Sequence, residues 1–274
     1  HGLLEFIPTS EGRRLMGLIG RVPYFSDDDG LTWNASTGIT VEDGWGGVRH
    51  AIVLDDPANT IVCLSKPDYW TEHKMYKSID DGASFQEIYT FSTNWNDDYE
   101  LVNPHHTNDI YIVDKGNNTM SKLDLNNNTL DVLSNFDGFS YGEARANLTA
   151  TMVDDVVYFY AYNDGNEVFL STDFGSSWEF RGAMGAAPWS VGLYVSPSDH
   201  NQVFMGEVNC HRSPDGGQTW ILVNEWWEYY DFPVTKLHAD MMYFKEFQTS
   251  GGEDFLLISN HGGLSISYSD LIES

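Results

Sequence analysis

The sequence is poor in cations, in cysteine and in long apolar runs. Only 14 of its 274 residues are Lys or Arg, against 41 Asp and Glu, and the formal net charge is −27. That deficit excludes nucleic acid as a partner, because affinity there comes mainly from cations that neutralise phosphates. It equally disfavours docking on anionic lipid. No apolar run approaches the roughly 20 residues a spanning helix needs, so no membrane insertion is expected. Two cysteines, Cys63 and Cys210, cannot make a disulfide framework; a single bridge is open to them, and the simpler reading is two half-buried thiols in strands. There is no initiator Met and no signal peptide: the chain opens at His1-Gly2, which reads as a processed or excerpted polypeptide. No stretch sustains a 3.6-residue apolar period, so almost no helix is expected.

What is present is a globular composition, 41% hydrophobic and 14% aromatic, on a chain long enough for one large domain spanning 1–274. It also contains an internal repeat. The pattern Ser-x-Asp-x-Gly-x-Ser/Thr-Trp/Phe occurs four times without a mismatch. Its copies begin with Ser26, Asp28, Gly30 and Trp33, then Ser78, Asp80, Gly82 and Phe85. They continue with Ser171, Asp173, Gly175 and Trp178, then Ser213, Asp215, Gly217 and Trp220. Successive starts lie 52, 93 and 42 residues apart, and the long gap holds a degenerate copy at Ser121–Asp124. A second degenerate copy, Ser265–Asp270, closes the chain. Ser and Asp side chains bond the backbone of turns, and Gly supplies φ > 0, so each copy predicts a turn between antiparallel strands. The aromatic opens the next strand and anchors beneath the loop.

This box resembles the Asp-box, or BNR, repeat of sialidases, of polysaccharide-degrading propellers and of sortilin-type domains. The resemblance implies that each box joins the third and fourth strands of a β-propeller blade and is scaffold. The segments before the boxes agree: Ser190–Pro197 and Gln202–Gly206 read as strand, turn, strand, as do Ala51–Leu54 and Thr60–Cys63. The expected fold is therefore all-β, a propeller of about six, or seven, four-stranded antiparallel blades. Inner strands are expected near Leu3, His50, Val102, Leu148, Val191 and His238. The last blade then lacks a fourth strand, which either the N-terminus supplies or, the preferred reading, a longer native chain does.

Ligands of such propellers sit over the central channel, so candidates flank the inner strands. Trp45, Arg49, Arg145 and Trp189 are expected ligand-binding residues, joined by the run Trp226, Trp227, Tyr229 and Tyr230 before His238. Aromatic faces stack on the apolar faces of sugar rings, though the same rings could equally fill a gap between blades. Glu143 and Asp240 are the carboxylates best placed for hydrolysis, and His238 or His50 for a base acting with a Tyr acid. Sialidase chemistry is disfavoured: among seven arginines only Arg49 and Arg145 fall near the channel, one short of a carboxylate-gripping triad. No cofactor is required. The acidic clusters Asp27–Asp29, Asp55-Asp56, Asp97-Asp98 and Asp154-Asp155 admit Ca2+, without the spacing of an EF-hand loop. Sequons at Asn34, Asn117, Asn127 and Asn147 permit glycosylation.

The last 80 or so residues carry a second likeness. Val203–Asn209, the box at Ser213, Leu237-His238-Ala239-Asp240 and Asn260-His261-Gly262-Gly263-Leu264 follow in the order found in large secreted or cell-surface BNR-repeat proteins of bacteria. His261 departs from that pattern, which has Asp. The resemblance implies an extracellular, secreted or cell-surface module with a binding, adhesive or structural role. Its partners would be glycan or protein, copies of itself or neighbouring domains. The alternative is a polysaccharide-active hydrolase or lyase.

Overall fold

The computed structural model describes residues 4–9, 12–42, 46–68, 70–92, 99–115, 117–135, 147–163, 166–184, 192–248, 251–252 and 254–268. The fold is the all-β propeller class expected, with strands paired antiparallel into small sheets in sequence order. The first sheet holds β1 (Leu4–Thr9), β2 (Gly12–Ile19), β3 (Val22–Ser26) and β4 (Asn34–Ala35). The second holds β5 (Gly47–Val53), β6 (Ile61–Lys66), β7 (Lys74–Ser78) and β8 (Gln86–Thr90). The third is β9 (Tyr99–Val102), β10 (Tyr111–Asp114), β11 (Thr119–Asp124) and β12 (Thr129–Asn135). The fourth is β13 (Asn147–Val153), β14 (Val156–Tyr162), β15 (Glu167–Ser171) and β16 (Glu179–Ala183). The fifth is β17 (Gly192–Val195), β18 (Val203–Gly206), β19 (Cys210–Ser213) and β20 (Ile221–Asn224). The sixth has three strands among the described residues, β21 (Tyr243–Gln248), β22 (Asp254–Asn260) and β23 (Gly263–Tyr268). The only helix among them is a 3-10 turn at Trp226–Tyr230.

By contact density the chain divides into two compact units, 1–103 with 107–117 and 121–132, and 104–106 with 118–120 and 133–274. Each has its own core. In the first, Ile7, Met16, Val48, Ile61, Cys63, Tyr76 and Phe85 pack together, and Leu54, Val62, Leu64, Met75, Phe91 and Tyr99 form a second cluster. In the second unit the clusters centre on Tyr160, Tyr162, Val168 and Val203, and on Tyr194, Phe204, Phe244 and Ile258. Second strands such as β6 and β18 are buried along nearly their whole length, because apolar neighbours cover both faces. That explains why Ile-Val-Cys-Leu and Val-Phe-Met read as continuous apolar runs instead of alternating ones. Both cysteines lie on strands as free thiols, but buried completely and not halfway. Burial alone pushes the Cys210 thiol up to about 12 and the Cys63 thiol higher still, which leaves both inert.

All four Ser-x-Asp-x-Gly turns join a third strand to a fourth and share one bonding scheme. At the first, Ser26 Oγ donates to Asp28 Oδ1 at 2.7 Å and accepts from the Gly30 N–H at 2.8 Å. Asp28 then accepts from the Thr32 N–H at 2.8 Å and from Thr32 Oγ1 at 2.6 Å. The same bonds recur at Ser78, Ser171 and Ser213. The glycines have φ of 88°, 78°, 77° and 87°, and the residue before each is also left-handed, which explains the fixed Gly. Bonds to ionised oxygens, first those from Thr32, hold Asp28 down at about 2. At Asp80, Asp173 and Asp215 partial burial opposes ionisation, yet bonds from Ser or Thr hydroxyls and backbone N–H groups still lower the pKa. The degenerate copy at Ser121 lies on β11, and its turn is closed by Asp124, which accepts from the backbone of Asn126 and Asn127.

The turns of the second to fifth sheets also seat against the sheet before them. Arg14 of β2 donates to the carbonyl of Asp81, and Ser36, just after β4, donates to that of Gly82. Lys77 of β7 reaches the Leu125 carbonyl, and Ser134 of β12 that of Phe174. Arg181 of β16 donates to the carbonyls of both Asp215 and Gly216 at 3.0 Å.

Candidate functional site

Residues 225–242 connect β20 to the sixth sheet, and a polar frame fixes the shape of the stretch from Glu225 to Leu237. Asn224, buried at the end of β20, donates to the carbonyls of Glu225 and Leu237 and accepts from the Leu237 N–H at 3.1 Å. Both ends of the loop are thereby clamped by one amide. Asn209 accepts from the Trp226 N–H at 2.8 Å. Glu228 reaches back to accept from the Glu225 N–H at 2.9 Å and pairs with Lys236 at 3.3 Å. The 3-10 turn so held carries the aromatic run that the sequence singled out.

The rings do not fill a gap between sheets. Trp226 is 40% exposed, Trp227 53% and Tyr230 65%. They pack edge-on: Trp226 against Tyr230 at 6.1 Å, and Tyr229 against the His238 ring at 4.8 Å. Tyr230 meets the same imidazole at 6.0 Å. His238 is therefore the pedestal of the aromatic cluster. It lies before the sixth sheet and not at the start of an inner strand, since β21 begins at Tyr243. Met241 is buried while still in the connection, so apolar character begins ahead of the strand itself.

Two carboxylate–imidazole pairs flank the cluster. Asp240, in the left-handed region at φ 65°, lies 2.7 Å from His261 Nδ1. Glu207 Oε1 lies 3.0 Å from His211 Nε2. Burial pushes the Glu207 pKa up, but bonds from His211 and the Asn209 N–H outweigh it, and the carboxylate stays ionised. The backbone joins the pairs, since Asp240 N–H donates to Val208 and Met241 N–H to Glu207. Glu207, Asn209, His211 and Asn224 escaped the sequence reading. Glu207 and Asn209 fall in a hairpin turn, His211 within β19 and Asn224 at a strand end, where polar residues are ordinary and carry no spacing signal.

His50 and Arg49 belong to a different cluster, in the first unit. A register shift between Val48 and His50 leaves Arg49 as the extra residue of a bulge, which re-aims a side chain. Burial, then the charges of Lys115, His73 and Arg49, lower His50 to about 4. Burial, Lys66 and Arg49 do the same to His73. Both imidazoles are thus neutral near pH 7, which suits neither to sharing a proton there as a base poised at that pH. Lys115 pairs with the buried Glu100 at 3.3 Å. Lys115, Lys66 and Arg49 are thus the cations whose charge, behind burial, holds these two imidazoles neutral.

Trp45, Glu143, Arg145 and Trp189 lie outside the described residues, as does the Asp97-Asp98 pair. Of the acids read as a Ca2+ lead, Asp27 pairs with Arg14, Asp29 with Arg13, and Asp28 closes its own turn. Among the described residues no three His, Cys, Asp or Glu side chains gather as metal ligands. No helix among them is long and apolar enough to cross a membrane. Asn34, Asn117 and Asn127 are exposed, and the amides of the last two donate to Asp114 and Asp124.

No protein-family model matches this sequence. No curated protein matches it either. Solved structures do. An ancestral GH74 enzyme aligns with 97% of this chain and 41% of its own, at TM-score 0.66 and 13% identity. The GH74 enzyme of Niastella koreensis aligns with 94% of this chain and 35% of its own, at TM-score 0.54 and 20% identity. YCF48 bound to D1 peptide aligns with 93% of this chain and 74% of its own, at TM-score 0.52 and 16% identity. The chain thus spans about two-fifths or less of the GH74 enzymes and about three-quarters of YCF48. What it shares with all three is the β-propeller fold.

Proposed function

We propose that this chain is a binding module of the Asp-box propeller kind, acting outside the cell, and that its ligand is a glycan laid across Trp226, Trp227 and Tyr230. One observation carries the reading: three large rings stay 40–65% exposed on a loop whose ends and turn are fixed by side-chain hydrogen bonds. Exposed rings fixed in advance lose little entropy on binding, and their faces suit the C–H faces of sugars. Glu225, Glu228 and Asp231 around the turn offer acceptors for hydroxyl groups. YCF48, one structural neighbour, is a peptide-bound propeller, so a protein ligand on the same rings is the competing occupant. A glycan array compared with its Trp226→Ala and Trp227→Ala variants tests this. Signals that fall at least tenfold in the variants support the reading, and signals unchanged in both refute it.

The second reading, a polysaccharide-active enzyme, has its own support. The Asp240–His261 pair at 2.7 Å orients an imidazole that is half exposed beside the aromatic cluster. Two structural neighbours are GH74 enzymes. A reducing-sugar release assay on neutral and acidic polysaccharides separates the two readings. Release abolished by His261→Ala would replace binding with catalysis.

A further inference from the structure

Glu225, Glu228 and Asp231 recur at every third position across the 3-10 turn. Such a helix has three residues per turn, so side chains three apart eclipse and form one row. The backbone keeps that period: the Glu228 N–H donates to the Glu225 carbonyl at 3.0 Å, and the Asp231 N–H to that of Glu228 at 3.2 Å. One acidic row therefore runs beside two aromatic ones, Trp226 with Tyr229 and Trp227 with Tyr230. Lys236 neutralises Glu228 at 3.3 Å. Among the described residues no cation pairs with Glu225 or Asp231, and Asp231 is exposed.

The rings beside that row stand nearly at right angles. Trp226 meets Tyr230 at 87°, and Tyr229 meets Tyr230 at 77° with centroids 5.8 Å apart. Tyr229, half-buried against His238, backs this corner, while Trp226, Trp227 and Tyr230 keep their exposed area. The face of a Trp or Tyr ring carries negative potential and attracts an ammonium within about 6 Å of its centroid. Crossed rings and an acidic row that is only partly neutralised thus select for one sign of charge. A sulfated or uronate-bearing glycan is repelled here and by a chain of −27. A neutral glycan gains stacking alone, and an ammonium-bearing one gains stacking and charge together.

We propose that the glycan is an amino-sugar polymer with free ammonium groups, its C–H faces on Trp226, Trp227 and Tyr230 and its ammonium groups beside Glu225 and Asp231. The inference rests on the glycan reading of these same rings and adds to it the charge of the sugar. An exposed ion pair contributes little by itself. The rings therefore set where the polymer lies, and the carboxylates set which polymer is chosen. Repetition of the ammonium along the polymer lets Glu225 and Asp231, at opposite ends of the turn, be satisfied by successive sugars of one chain.

The probes are an oligomer of glucosamine and the same oligomer N-acetylated, which share ring, linkage and stacking face and differ in charge. Isothermal titration calorimetry with the full chain is run in mildly acidic, low-salt buffer, where the free amines are protonated. The glucosamine oligomer should bind at least tenfold more tightly, and added salt should close that margin. Glu225→Gln combined with Asp231→Asn should bring it down to the acetylated level. Asp231→Asn alone should narrow the margin and, at an exposed position, leave the melting temperature within about 1 °C. Trp227→Ala should weaken both oligomers. Equal affinities, or a preference for the acetylated oligomer, overturn the proposal and leave the glycan reading standing. A glucosamine preference that persists undiminished in Trp226→Ala and Trp227→Ala also overturns it, since the attraction would then belong to the acidic surface at large. So does ring-dependent binding of a lysine oligomer at the same affinity, which would make the ligand a protein. If neither sugar oligomer binds, the proposal falls, and the glycan array with the ring variants decides whether the glycan reading falls with it.

Discussion

Replacing Ser213 with alanine removes one oxygen and three contacts. Its Oγ is fully buried, donates to Asp215 Oδ1 at 2.9 Å, and accepts from the Gly217 N–H at 2.7 Å and the Asp215 N–H at 3.4 Å. The bond to Gly217 is itself buried, so without Ser213 that N–H loses its acceptor where water is excluded. A stranded buried donor costs about 1–3 kcal/mol. The Asp215 carboxylate is largely solvated, so its lost bond adds little after screening. About 2 kcal/mol is the expected total, which for a chain of this length lowers the melting temperature by roughly 4–8 °C. Circular dichroism melts and urea titrations read it directly. The buried bond recurs at Ser78 and Ser171, so the same substitution should cost the same there, and less at Ser26, whose bond to the Gly30 N–H is only partly buried. Thr219→Val is the contrast, because its bond to Asp215 Oδ2 is exposed and water replaces it. A Ser213→Ala loss below about 0.5 kcal/mol, the level of an ordinary surface substitution, would refute the reasoning. So would a Thr219→Val loss equal to it.

Other expectations follow from single positions. Gly82→Ala should destabilise by more than about 1 kcal/mol, since its φ is 78° and a Cβ would meet Met16 Sδ at 2.5 Å; urea unfolding checks it. Asn224→Ala should cost about 2 kcal/mol by stranding the Leu237 N–H and carbonyl, and should weaken glycan-array binding about tenfold as the loop loosens. His50, His73 and His105 are each lowered to about 4, first by burial, whereas the unfolded chain titrates near 6.5. The unfolded state therefore binds protons first as pH falls, so stability is full above about 6.5 and declines toward 4. Urea unfolding at a series of pH values should show that slope, and a flat profile between pH 7 and 4.5 would contradict the burial of these rings. Below about pH 4 the lowered carboxylates of the four turns extend the loss, because their contribution is present above the unfolded value and disappears as each is protonated.

The repeat made the fold legible. Ser, Asp and Gly recur because each performs one backbone task, so their spacing reports the strand–turn–strand unit whatever surrounds it. First strands were less legible. β9 and β17 are four residues long, and Met241 mimics a strand residue while buried in a connection. The aromatic run was visible in sequence, but its exposure was not, since the clamp by Asn224 and the bond from Trp226 to Asn209 join residues 13 and 17 apart. Burial of His50 beside Lys115 was equally hidden, because nothing in the composition brings together two residues 65 positions apart.

The seating of these turns on the sheets before them gives the chain a direction in time. Arg181 and the Asp215 carbonyl it serves are 34 residues apart, and Arg14 and the Asp81 carbonyl 67. During synthesis at about 5–20 residues per second, the guanidinium of Arg181 waits roughly 2–7 s for its acceptor to emerge. Each sheet thus leaves the ribosome with its flank unfinished and is completed by the next one. A stalled chain ending between residues 184 and 213 would expose that flank. The repeat that secures the finished protein therefore makes its nascent form most vulnerable at the most recently made edge.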